Sequence, residues 1–268
     1  MRVLAAIGLA ILFVIGAVLG LAIGLVVFAV SLLRGARAVH PDGVVYRSEL
    51  IAHDRSAAPD LAGPGLVRLS GAFSRQASAE SDVLGVAIRL QRAASDDAGL
   101  GDQDLLLGTF ESFRTAGRDR ARTNVGDYLA NRYSSVTPWW LPGHGPVTLR
   151  LAPLDPTLAD RDADRRSRSA EGGASDGAAG LPRATDRLAR LEADVAAGHA
   201  RLALVATTGT TELPIGELRP TGRIDTDGDR LRASMFRHGR GVWPLGLRNG
   251  IRATVYPFSQ AARGLRGH

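Results

Sequence analysis

Three short segments of the sequence hold polar side chains at spacings that could do chemistry. In Arg37-Ala38-Val39-His40 a histidine follows an arginine by three residues; an imidazole can move protons near neutral pH, but the pair by itself names no reaction. In Arg68-Leu69-Ser70 the alternation of a strand sends a guanidinium and a hydroxyl to one face and Leu69 to the other. Two polar groups on an inward face need partners or a polar ligand. Near the C-terminus Arg252, Tyr256 and Arg263 fall at offsets of 0, 4 and 11. At about 100° per residue, that spacing puts two cations and a phenol within about 40° on one helical face. The guanidinium forks are available for carboxylates and phosphates.

The elements that must position these groups can be read from periodicity. Short runs rich in Val, Leu and Ile recur between turn residues at 43–50, 65–70, 83–90, 104–110, 146–152, 201–207, 213–224 and 230–236. About eight strands against few helices predict an α+β domain built round an antiparallel barrel. Helices are expected at 118–133, 184–199 and 248–265. Between the fifth strand and the second helix, 155–183 is rich in Asp, Arg, Ser, Gly and Ala and reads as a flexible insertion in one domain, residues 35–268.

Val3–Leu33 is an uninterrupted stretch of 31 residues without a charge. At 1.5 Å per residue it reaches about 46 Å, enough to cross a hydrocarbon core of ~30 Å with tilt. It is longer than the apolar region of a cleaved signal and runs straight into Arg34 and Arg37, so residues 1–34 read as an uncleaved single-pass anchor in the lipid bilayer. Arg34, Arg37 and Arg47 follow the span and only Arg2 precedes it, which favours a cytoplasmic domain. Gly16, Gly20 and Gly24 stand four apart on one face, the spacing of small-xxx-small contacts and a possible homo-oligomer seam.

Composition removes several classes. With no cysteine, thiol nucleophiles, iron–sulfur clusters and zinc ribbons are excluded; with no lysine among 33 basic residues, so are Schiff-base and P-loop chemistry. The net charge of +6 is spread among aspartates, as in the run from Arg161, and no basic stripe with interleaved aromatics forms, so nucleic acid is not an expected partner.

Taken in chain order, the segments resemble the catalase family. RAVHPDG is similar to the R-x-x-H segment with the distal histidine, VRLS to V-R-F-S, and RATVYPFSQAAR to the R-x-x-x-Y-P segment with the proximal tyrosine. DLLLGTFESF resembles the D-L-V-G-N-N-T-P stretch, GVAIRL a glycine-led strand, and VWPLGLRNGIRATVY the ending of short, divergent relatives. The matches run from Arg37 to Arg263 and skip the insertion.

The resemblance implies a haem b cofactor with Tyr256 as the iron ligand. A ligating tyrosine must be phenolate, below its ordinary pKa of ~10, and Arg252 one turn earlier can supply the stabilising charge. Arg37, Arg68 and Arg263 would hold the propionates. His40 would be the catalytic acid–base that moves a proton between peroxide oxygens, with Ser70 orienting its ring.

One departure bears on substrate: the family's distal asparagine falls where this chain has Gly108-Thr109, and neither residue is an amide. Losing one orienting donor costs orders of magnitude in rate, so the expected substrate is an organic hydroperoxide rather than hydrogen peroxide. Two other classes stay open. His53-Asp54, preceded by His40 and Asp42, could belong to a metal-dependent phosphodiesterase, and a haem-free barrel could bind an apolar ligand.

Overall fold

The computed structural model describes residues 2–34, 40, 43–72, 82–112, 114–155, 158, 186–224 and 231–265. Ten strands form: β1 (Gly43–Ala52), β2 (Gly63–Gly71), β3 (Leu84–Leu90), β4 (Gln103–Gly108), β5 (Tyr133–Ser134), β6 (Trp139–Leu141), β7 (Gly145–Pro153), β8 (Leu202–Thr208), β9 (Thr211–Ile224) and β10 (Trp243–Pro244). Antiparallel pairing runs β7–β5–β4–β3–β2–β1–β9–β8 and returns from β8 to β7, closing a barrel of eight strands; β6 and β10 extend the sheet beyond β7. The helices are α1 (Arg2–Arg34), α2 (Ala116–Arg122), α3 (Asp186–Ala196) and α4 (Leu247–Gly264).

Strand alternation separates two surfaces. Tyr46, Leu50, Val67, Leu69, Val86 and Leu107 point into the barrel and join its main core. Their sequence neighbours point to the outer wall, where Val45, Leu66 and Leu231 form a separate buried cluster with Ala87 and Ile224 packed on it. Arg68 and Ser70 therefore lie outside the barrel, not on the inward face expected from the sequence, although both are buried.

The outer wall stays covered because residues 231–237 are pinned to it. Arg89 donates from Nε to Asp104 Oδ1 at 3.0 Å and from Nη2 to the Arg232 carbonyl at 2.8 Å. Asp104 also accepts from Ser234 N at 2.8 Å, pairs with Arg237, and donates its own N–H to the Arg237 carbonyl at 2.9 Å. The strand expected at 230–236 does not form: over 231–236 side chains of the wall take the backbone groups that a ladder would have paired. The helix expected at 118–133 is also cut short, to α2. Asp127 Oδ1 accepts from Leu129 N and Ala130 N, and Asn131 bonds the backbone of Asn124 and Asp127, so turns replace helix and Tyr133 begins a strand.

Helix α4 is fixed at its start by Asn249, fully buried, whose amide donates to the Pro138 and Leu245 carbonyls and whose oxygen lies 2.8 Å from the Thr137 hydroxyl. Farther along, Gln260 donates to the Ala233 carbonyl at 2.9 Å, tying α4 to the segment that covers the outer wall. The helix begins at Leu247 and carries Pro257 inside it, which removes the hydrogen bond to the carbonyl four residues back.

Helix α1 contains the one stretch among the described residues long and apolar enough to cross a bilayer, Val3–Leu33. Its glycine face is seated on α4 of the same chain: a Cβ on Gly16 would stand 1.9 Å from the Leu247 oxygen, and one on Gly20 2.0 Å from Thr254 Oγ1. Gly250 returns the contact, its missing Cβ 1.9 Å from the Phe13 oxygen. Most of the expected insertion, residues 156–157 and 159–183, lies outside the described residues.

Two stability outcomes follow from these contacts. Asp104→Asn removes the charge that compensates a buried guanidinium and is expected to cost about 3–5 kcal/mol, read as the shift of a urea unfolding midpoint. Gly16→Val must push α1 off the α4 backbone and should cost about 1–3 kcal/mol, whereas Gly8→Val, with nothing within 4 Å of its Cβ, should leave the midpoint unchanged.

Candidate functional site

The site begins as a row of small residues. In the register of β1 to β5, Gly43 stands opposite Ser70, Ser70 opposite Gly85, Gly85 opposite Gly108, and Gly108 opposite Ser134. Directly opposed residues share a face, so this row is a shallow trough across the outer wall at one end of the strands.

Three planar groups lie in it. A Cβ on Gly43 would stand 2.5 Å from the Arg68 guanidinium carbon, one on Gly85 2.3 Å from His40 Cε1, and one on Gly108 3.0 Å from the Phe110 ring. The glycines are thus needed for close approach by flat side chains rather than for their backbone angles.

His40 is held from several sides. Its backbone is left-handed, φ 59°, a conformation in which histidine is over-represented among non-glycine residues. Its N–H donates to the Ala72 carbonyl at 2.8 Å, and its own carbonyl accepts from Arg68 Nη2 at 3.1 Å. Its Nδ1 lies 3.0 Å from Ser70 Oγ, which in turn has the Gly85 carbonyl at 3.4 Å. A hydroxyl has one hydrogen. Both contacts are made at once when Ser70 donates to Gly85 and accepts from an Nδ1–H.

The structure brings His40, Ser70 and Arg68 together. Arg252 and Tyr256 sit one turn apart on α4, each half-buried, with Tyr256 packed against the main core. Arg37 lies outside the described residues, as does Asp42; Arg263 is within α4, but its side chain is outside the described part.

The other three tyrosines belong to the core. Burial, with the charge of Glu192 adding to it, pushes the Tyr46 phenol up to about 12, and burial holds that of Tyr133 well above the ordinary value. Tyr133 donates to the Tyr128 carbonyl at 2.6 Å. Groups held neutral in this way are unsuited to act as phenolate ligands.

Thr109, at the position of the absent amide, has its hydroxyl committed. Thr109 Oγ1 accepts from Leu84 N at 3.1 Å and lies 2.8 Å from Thr123 Oγ1, and Thr123 donates its hydrogen to the Asp119 carbonyl at 3.0 Å. Thr109 must then be the donor to Thr123. The hydroxyl closes the end of β4 and has no hydrogen left to offer into the trough.

The competing readings gain no support here. His53 and Asp54 lie exposed in the turn after β1, and among the described residues no group of three or more His, Asp or Glu converges as a metal site would need. The barrel interior is filled by residues such as Tyr46, Leu69 and Ile88. The parts of the site that the sequence alone did not reveal are the aligned Gly43, Gly85 and Gly108 and the ring of Phe110; each glycine stands at a strand end, but only the register joins them.

No family model and no curated protein matches the chain. Among solved structures, a bacterial catalase aligns with a TM-score of 0.53 at 13% identity, over 85% of this chain and 57% of the catalase. A fungal catalase aligns with a TM-score of 0.54 at 13% identity, over 85% of this chain and 59% of the other. The chain thus spans less than two thirds of the length of these catalases, and what it shares with them is the fold: a catalase-like antiparallel barrel with flanking helices.

Proposed function

We propose that this protein is a haem-dependent oxidoreductase acting on hydroperoxides, peroxidase-like in chemistry, with its site on the outer wall of β1–β5. The observation that carries this reading is the seating of His40 on Gly85 with Nδ1 hydrogen-bonded to Ser70. It is supported by the glycines that let the His40 ring, the Arg68 guanidinium and the Phe110 ring lie flat on the wall, and by the chemistry of that guanidinium, which suits a carboxylate.

Tyr256 would ligate the iron and Arg252 would stabilise the phenolate. Arg68, with Arg37 and Arg263, would hold the propionates. Haem b, when bound, supplies the two-electron redox chemistry that cleaves the O–O bond. The chain's own residues do the rest. His40 Nε2 takes the proton from the hydroperoxide oxygen that bears it and returns it to the oxygen that leaves as alcohol or water. Ser70 fixes the tautomer that makes this possible, and Gly85 leaves room for the ring. The site offers no amide or hydroxyl at Thr109 to orient a small peroxide, so an organic hydroperoxide, oriented by apolar contacts along its own length, is the better substrate.

Hemin added to the purified full-length protein should give a specific, saturable Soret band with tyrosinate character. Tyr256→Phe should lose that character while keeping the circular dichroism of the wild type; absence of specific uptake by the wild type would overturn the reading. Given haem binding, kcat/KM should be higher for an organic hydroperoxide than for hydrogen peroxide, and His40→Ala should lower it by about 10²–10⁴-fold. Gly85→Val, which displaces the imidazole rather than deleting it, should reduce kcat with little change in haem uptake. Vigorous oxygen release from hydrogen peroxide, or activity indifferent to His40, would contradict the proposed roles.

A further inference from the structure

Helix α1 is docked along the body of the protein for nearly its whole length. Gly246 N donates to the Leu9 carbonyl at 2.9 Å, Thr254 Oγ1 donates to the Ala17 carbonyl at 3.1 Å, and Ser31 Oγ lies 3.0 Å from Ser259 Oγ. Both helices advance in the same direction through these contacts, and Gly24 meets the Phe258 ring between the last two. From Leu9 to Ser31 is about 33 Å at 1.5 Å per residue, which is the full depth of a hydrocarbon core.

An upright, spanning α1 would therefore carry α4 with it to bilayer depth. Helix α4 is polar: Arg252 follows Ile251, which touches Gly20 in the middle of α1, and Arg248 and Gln260 stand on the same helix. A guanidinium at that depth is among the costliest groups to bury in lipid. The segment that covers the outer wall also touches α1 early in its course, through Phe236 edge-on to Phe13 at 6.4 Å.

The opposite face of α1 is apolar and open. Ile11, Val14, Val18, Leu21 and Leu25 recur at three- and four-residue steps and are each at least half exposed. Two exposed aromatics of the body, Phe236, which meets Phe13 of α1, and Trp243, are of the residue types that settle at headgroup level. Neither α1 nor α4 contains an acidic residue, whereas α4 carries arginines along α1.

We infer that α1 meets the membrane lying in its plane, docked on α4, with the Ile11–Leu25 stripe in the acyl boundary and the α4 arginines toward anionic phospholipid headgroups. The protein would then be monotopic in this docked form, not single-pass, with α1 between the lipid and the helix bearing Tyr256. This does not depend on haem binding.

The cysteine-free sequence makes the test direct. Ser31→Cys with Ser259→Cys, oxidised, locks α1 on α4. Vesicles of phosphatidylcholine with phosphatidylglycerol should float the oxidised and reduced proteins equally. Single Val3→Cys and Leu33→Cys variants bound to the same vesicles should both react with a membrane-impermeant maleimide added outside. Loss of flotation on oxidation, or Val3→Cys labelled only after detergent, would overturn the inference in favour of a spanning helix. A chain that ignores the vesicles and sediments as a dimer through α1 would overturn it in favour of a second copy.

Discussion

The hydrogen-bond register of β1 to β4 is the constraint on which the site depends. Shifting one of these strands by a single residue would exchange its two faces. Leu69 would leave the barrel core and Ser70 would enter it; Gly85 would no longer lie under His40. Gly43, Ser70, Gly85 and Gly108 align only because the alternating apolar residues of each strand must face the closed interior. The trough is thus a by-product of core formation, and because every position along it carries a small residue, Arg68, His40 and Phe110 can lie in it.

A second constraint keeps the outer wall dry. A barrel wall facing solvent would present Leu66 and Val45 to water; here Leu231 covers them, and the cover is fastened by a buried charge pair. Arg89 and Asp104 are each 2% exposed, so neither can be left without its partner. Because α4 is tied to Ala233 in that cover and to Pro138 at its own start, the helix with Tyr256 is placed by the same fastening that closes the wall. Positioning and stability are carried here by the same residues.

Much of this was legible in the sequence. The long strands, the extent of α4 to within a residue and the shared face of Arg68 and Ser70 could be read from spacing, and the pairing of Ser70 with His40 from family resemblance; the contact of Arg68 with the His40 carbonyl could not. The failures have a common origin in polar side chains acting on backbone. Asp127 and Asn131 convert an expected helix into turns, and Asp104 and Arg89 hold 231–237 out of any ladder. The inward orientation assigned to Arg68 and Ser70 failed for another reason: alternation gives two faces but not which one a closed barrel turns inside. The stripe of Gly16, Gly20 and Gly24 reads from its spacing as a possible seam between copies; in the structure it packs on α4 of the same chain, more than two hundred residues away and without a local signature.

Thr109 shows how far a hydrogen-bond account can narrow a chemical reading. With Thr123 donating to Asp119, the only hydrogen on Thr109 goes to Thr123 and its oxygen already accepts from Leu84. A residue in that state cannot orient peroxide without breaking the bonds that end β3 and β4. On the proposed function, His40, with Nδ1 held by Ser70, is then the proton-transfer group of the trough. One proton-transfer group without a second orienting donor suits a substrate that arrives already oriented. A hydroperoxide with an apolar chain meets that requirement through contacts along its own length.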